Sequence, residues 1–196
     1  MTLLYILVGV AVILVFWLIS TYNFFVSTKT RIKAAVQEIG NQLKRQGDLI
    51  PNLVESTKGY LKHEKDIFEK LTSARRAIAG AVESGDVQKM ADAGAKLAAV
   101  LPALKIAVED NPELKASDVV AKLMDELRDT ADKVMYARRL VINLTADYNV
   151  RRLNLPSNVV AGMFNFAELP GLITPQSGEH MEVTRKDTET PKVDMG

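Results

Sequence analysis

The sequence predicts an all-α fold: an N-terminal transmembrane helix, then a long kinked helix, then an antiparallel three- to four-helix bundle. Three features carry this expectation. The chain opens with an uncharged apolar run, its middle repeats apolar residues at heptad spacing, and short turn signals divide that middle into segments. The expected organisation is an anchor over 1–22, a helical bundle over 23–172 and a disordered tail over 173–196.

The anchor comes first. Residues 3–19 carry no charge. Continuation through Tyr22 supplies the roughly 20 residues that cross ~30 Å of hydrocarbon. A single helix satisfies its own backbone hydrogen bonds in lipid. Trp17 and Tyr22 stand where amphipathic rings favour the headgroup level. A cleaved signal peptide would want a basic start and a small-residue cleavage site. Here nothing basic precedes the run, and bulky Tyr22, Phe24 and Phe25 follow it. The lipid bilayer is therefore the first expected partner, through residues 3–22. Lys29, Arg31 and Lys33 lie just after the span, so the C-terminal domain is expected in the cytoplasm.

Composition removes several function classes. The chain has no cysteine, which excludes disulfides, thiolate chemistry and cysteine metal sites. Basic and acidic residues number 25 and 24, and the basic residues occur in isolated pairs such as Lys44-Arg45 and Arg138-Arg139. No nucleic-acid partner is expected from that pattern. No phosphate loop, no His-Glu-x-x-His helix and no other cofactor motif is present, so no cofactor and no metal are expected.

The helices follow in order. Steps of seven from Ile32 meet Ile39, Gln46, Leu53, Tyr60, Ile67, Ala74 and Ala81. The companion set from Val36 meets Leu43, Ile50, Thr57, Glu64, Leu71 and Ile78. Both keep register across Pro51, which predicts one helix over 32–83, ~78 Å long if straight. Pro51 lacks an N–H and its ring crowds the Gly47 carbonyl, so either one kinked helix or two helices meeting at 47–50 is expected, and the unbroken register favours the kink. Asp48 and Asn52 would cap backbone freed by it. Gln46, Thr57 and Glu64 interrupt the seam and would fix its register.

Gly85 and Asp86 then read as a turn and an N-cap. They precede a helix over 87–109, bent or weakened at Pro102. Residues 110–116 form a connection. Ser117 and Asp118 open a third helix with a seam from Leu123 to Tyr148, ending near Asn149. Short connections make successive helices antiparallel. Leu155-Pro156-Ser157-Asn158 is a turn and cap signal. Residues 159–166 are apolar but too short to cross a bilayer, so they either close the bundle or touch membrane.

Several strings in this chain resemble the LemA family of bacterial membrane-anchored proteins. They are Gln42-Leu43-Lys44-Arg45, Asp48-Leu49-Ile50-Pro51-Asn52-Leu53-Val54, and Lys58-Gly59-Tyr60 with His63-Glu64 and Ala74-Arg75. Asn111-Pro112-Glu113-Leu114-Lys115-Ala116, Ala137-Arg138-Arg139, Asp147-Tyr148-Asn149 and Leu155-Pro156-Ser157-Asn158 follow in family order. The resemblance implies a single-pass protein of the bacterial inner membrane with a soluble antiparallel bundle. It implies no general activity, and one branch of the family points to membrane organisation.

Two functions follow as expectations. One is a non-catalytic anchored scaffold or adaptor that binds a protein partner or itself. Its candidate interaction or structural residues are Asp48, Pro51, Asn52, Lys58, Tyr60, His63, Glu64, Arg75, Tyr148 and Asn149. The other is a membrane-tethered sensor of a small ligand, or an enzyme, using the polar residues between 48 and 75.

Overall fold

The computed structural model describes residues 1–61 and 64–173, and among them the chain is helical with no strand. Its elements are α1 (Thr2–Thr57), α2 (Lys65–Ser84), α3 (Val87–Glu109), α4 (Pro112–Lys115), α5 (Asp118–Leu153) and α6 (Ser157–Met163). The expected tail lies outside the described residues from 174 onward.

Helix α1 joins what the sequence divides. The apolar run and the first bundle helix are one helix of 56 residues, ~84 Å long at 1.5 Å per residue. Residues 2–16 are all exposed, as a segment awaiting lipid would be. From Trp17 onward other elements begin to cover the helix, and Thr21, Phe25, Thr28, Ala35, Ile39 and Leu43 form its buried face.

The expected helix over 32–83 is corrected: α1 ends at Thr57 and the chain turns back into α2 at Lys65. Lys58-Gly59-Tyr60 is the turn, with Tyr60 and Leu61 both donating their N–H to the Thr57 carbonyl. The seam positions Tyr60 and Glu64 are therefore exposed turn residues. Periodicity could not register the reversal because the connecting stretch, 58–64, is one heptad long. The seam residues Ile67, Leu71, Ala74, Ile78 and Ala81 are buried as expected, but on the returning helix.

Two prolines stay inside helices. Pro51 lies within α1 and Pro102 within α3, and neither divides its helix. Asp48 thus has no helix start to cap, and it is exposed. Gly47 is buried where α2 packs on α1: a Cβ placed there would come to 3.4 Å from Ile78 Cγ2, at the edge of ordinary contact. Gly94 of α3 is placed similarly, since a Cβ there would stand 3.4 Å from Leu43 and 3.5 Å from Val134.

The remaining boundaries have local causes. Gly85 takes φ 66°, and the Asp86 carboxylate accepts from the N–H groups of Gln88 (2.8 Å) and Lys89 (3.1 Å) to start α3 at Val87. Asn111 caps Glu113 and Leu114 in the same way, and Pro112 at the first position completes the single turn α4 inside the expected plain connection. Ser117 caps α5 through Val120 N–H. Helix α5 runs to Leu153, four residues past Asn149.

Four long helices, α1, α2, α3 and α5, enclose one core that includes Leu43, Ile50, Leu53, Leu71, Ile78, Leu97, Leu104 and Leu127. Helix α5 lies antiparallel along α1. Arg45 meets Glu126, its Nε donating at 2.8 Å, and Phe25 meets Tyr148 with ring centroids 5.2 Å apart. The C-terminal end of α5 consequently returns to the level of the apolar segment.

Candidate functional site

Most of the sequence-derived candidates lie at the end of the bundle far from the apolar segment. Asp48, Asn52, Lys58, Tyr60, Glu64 and Arg75 are all exposed, and Pro51 is half-buried. Asp48 and Asn52 stand one turn apart on α1, Arg75 projects from α2, and Lys58, Tyr60 and Glu64 belong to the turn and its exit. Among the described residues no ion pair joins these side chains. No group of three or more metal-ligating residues forms there either. His63 lies outside the described residues. The arrangement is a polar surface around a turn.

Tyr148 and Asn149 are at the other end and do something different. After α6 and a turn at Phe164 and Asn165, the chain from Phe166 to Ile173 runs back along the bundle as an irregular strap. Side-chain amides hold it twice. Asn149 Nδ2 donates to the Leu169 carbonyl at 2.8 Å while Leu169 N–H donates to Asn149 Oδ1 at 3.1 Å. Gln88 repeats the pattern, accepting from Ile173 N–H at 2.9 Å and donating to its carbonyl at 3.3 Å. Each amide thereby pairs with one strap residue as a neighbouring strand would, satisfying backbone groups that have no helix partner. Gln88 was invisible as a site residue in the sequence because nothing local marks a partner 85 positions away.

Tyr148 is buried beneath the strap and donates its hydroxyl to the Ala167 carbonyl at 3.1 Å. Burial pushes its phenol pKa up from the ordinary value, and the Arg152 guanidinium partly opposes that shift. Around it stand Phe25, stacked on Phe166 at 4.8 Å, and Tyr22, edge-on to Phe164 at 4.8 Å. Arg151 lies over the Phe24 ring, 4.2 Å from its centroid. Ser157 does not cap α6. Its hydroxyl, 2.6 Å from the Arg151 carbonyl and 3.0 Å from that of Asn154, closes the end of α5 instead. The segment 159–166 therefore closes the bundle through Val160, Ala161 and Phe166, while Val159, Met163 and Phe164 face outward.

One surface feature was not legible in the sequence. A groove of about 540 Å³ runs between α3, α4 and α5. Leu101, Pro102, Val108, Leu114 and Met124 line its apolar floor, and Lys105, Glu109, Asp125 and Arg128 stand in its walls. Its residues come from three elements, so only the packing assembles it. Like the turn, it faces away from the apolar segment, beside the start of α5.

The LemA family model matches residues 35–193, most of the chain. No curated protein matches it.

Proposed function

The chain belongs to the LemA family, and from that premise we propose that it is a non-catalytic scaffold or adaptor, anchored by a single span in a bacterial inner membrane. The observation that carries this reading is the continuity of α1 from a bare apolar segment into the core of a four-helix bundle. A helix without a joint transmits position. From Tyr22 to Thr57 it rises ~53 Å, so it holds the turn and the groove at a set distance from the bilayer. Lys29, Arg31 and Lys33 at the exit of the span favour a cytoplasmic bundle. The dispersal of Asp48, Asn52, Glu64 and Arg75 over exposed surface supports binding to a protein over chemistry on a small substrate.

Photocrosslinking in cells tests the reading. A photoreactive residue in place of Asn52, Tyr60 or Lys105 is expected to give a discrete crosslinked species, either a partner or a second copy of the chain. A full-length protein that gives none from any of the three positions sinks the adaptor reading. A reporter fused after Gly196 is expected to be active in the cytoplasm, and activity only outside would reverse the orientation.

A further inference from the structure

We propose that the corner made by the end of α5 and by α6 is a second membrane contact, seated in the headgroup boundary of the same bilayer that the N-terminal segment crosses. The proposal rests on the anchor reading and adds a lipid-facing surface to the bundle itself.

The placement is geometric. Trp17 and Phe24 of α1 line one cavity, about 490 Å³, together with Val150, Arg151, Asn154, Leu155 and Pro156 of the corner. Tyr22 packs edge-on against Phe164, just after α6. Trp17 lies five residues before Tyr22, or about 7.5 Å along the helix toward the membrane interior. If residues 3–22 span the hydrocarbon, the corner already overlaps the last turn and more of that span. A polar corner would be forced out of such a position. This one exposes Leu153, Leu155 (80 % exposed), Val159, Met163 (63 %) and Phe164. These residues come from α5, the α5–α6 turn and α6, and together they give that end of the bundle an apolar outer face.

The charges around the corner fit the same surface. Because α5 pairs antiparallel with α1, with Phe25 against Tyr148 and Arg45 against Glu126, residues 23–34 lie beside 138–149, and Arg151 and Arg152 follow toward the span. The stretches 23–34 and 138–173 together hold Lys29, Arg31, Lys33, Arg138, Arg139, Arg151 and Arg152 against only Asp147 and Glu168. Apolar side chains at the boundary with basic side chains beside and above them are the pattern of an interfacial contact on anionic lipid. The aromatic cluster of Phe25, Tyr148 and Phe166 fixes α6 to α1, so the corner cannot swing away from the span without breaking that packing.

The chain has no cysteine, so single probes can be placed in the full-length protein without background. Leu155→Cys, Met163→Cys, Val10→Cys and Ile106→Cys would each carry an environment-sensitive fluorophore in nanodiscs containing anionic lipid. All four positions are exposed. Lipids spin-labelled near the headgroup or near the chain end serve as quenchers. Probes at 155 and 163 are expected to lose fluorescence several-fold, more to the headgroup-proximal label, while the probe at 106 is unaffected. The probe at 10 should respond to the deeper label. If 10 is quenched and 155 and 163 behave like 106, the anchor stands and this inference falls, leaving the corner as a face for another protein. If 10 is not quenched, the anchor reading itself fails and takes the inference with it.

Discussion

The two ends of the bundle are built from different chemistry. Near the apolar segment, aromatic rings interlock, the Asn149 amide holds the strap, and Tyr148 is wholly buried with its hydroxyl bonded. At the far end a short turn closes through backbone hydrogen bonds to Thr57, and the polar residues around it reach into solvent. The near end is thus organised to hold its geometry. The far end is free to present side chains, and substitutions there should leave the fold nearly untouched.

The sharpest contrast is between Phe25 and Tyr60. Phe25 is fully buried between Tyr148 and Phe166, and its loss leaves a cavity that the interlocked rings cannot collapse into. Phe25→Ala is expected to cost about 3–5 kcal/mol. Hydrogen exchange over 160–169 should rise with it, because α6 and the strap lose their seat. Tyr60 is half exposed on the turn, and Tyr60→Ala is expected to stay within about ±0.5 kcal/mol in thermal unfolding. Equal costs at both positions would erase the distinction between the ends.

A smaller effect separates the clamp from the candidate surface. Asn149→Ala removes a donor and an acceptor from Leu169 and leaves both backbone groups with a lost partner. The expected cost is about 1–3 kcal/mol, read as faster exchange at Leu169 N–H. Asn52→Ala, on exposed helix, should cost almost nothing while weakening any crosslinked partner.

How much of this was readable from the chain depends on whether the cause is local. The helix over 87–109, its Asp86 cap and the left-handed Gly85 are local chemistry, and each stands where the sequence puts it. The seam positions Ile39, Leu43, Gln46, Ile50, Leu53 and Thr57 are all buried. What the repeat concealed was direction, since a turn one heptad long preserves phase while the chain reverses. The signal was Gly59, together with the non-aliphatic residues Thr57, Tyr60 and Glu64 at three neighbouring seam positions. The strap and the groove had no local signature, because Gln88, Asn149 and Met124 gain their partners only by packing. The Asp48 to Asn52 string, the most recognisable in the sequence, lies on an unbroken helix, and the glycine just before it faces Ile78 of a neighbouring helix.

Alkaline pH probes the near end through Tyr148. The folded-state pKa of Tyr148 lies above the ordinary 10.0, so the fold favours the neutral phenol. Its contribution is complete below that ordinary value. It is lost as pH rises through it toward the raised folded-state value, because the unfolded chain releases the proton first. Tyr148→Phe is expected to cost about 1 kcal/mol at neutral pH through the missing hydrogen bond to Ala167. It should also flatten the alkaline loss of stability. If Tyr148→Phe lost stability above the ordinary value as steeply as the unsubstituted chain, the sensitivity would belong to some other group.

The smallest effect has the opposite sign. Gly80 lies inside α2 on its exposed side, and a methyl group added there meets nothing within 4 Å. Glycine in a helix interior costs roughly 0.5–1 kcal/mol relative to alanine through backbone entropy. Gly80→Ala is therefore expected to raise stability by about that amount. Gly47→Ala, one helix away, gains the same entropy but places its methyl 3.4 Å from Ile78 Cγ2, at the limit of ordinary contact. Bulkier substitution there should turn the gain into an overpacking loss of about 1–3 kcal/mol. Thermal unfolding of Gly80→Val and Gly47→Val side by side separates the two roles. A loss confined to position 47 would show that α2 needs a bare backbone on α1 at that level. Equal responses would assign Gly47 to the backbone at Pro51 instead.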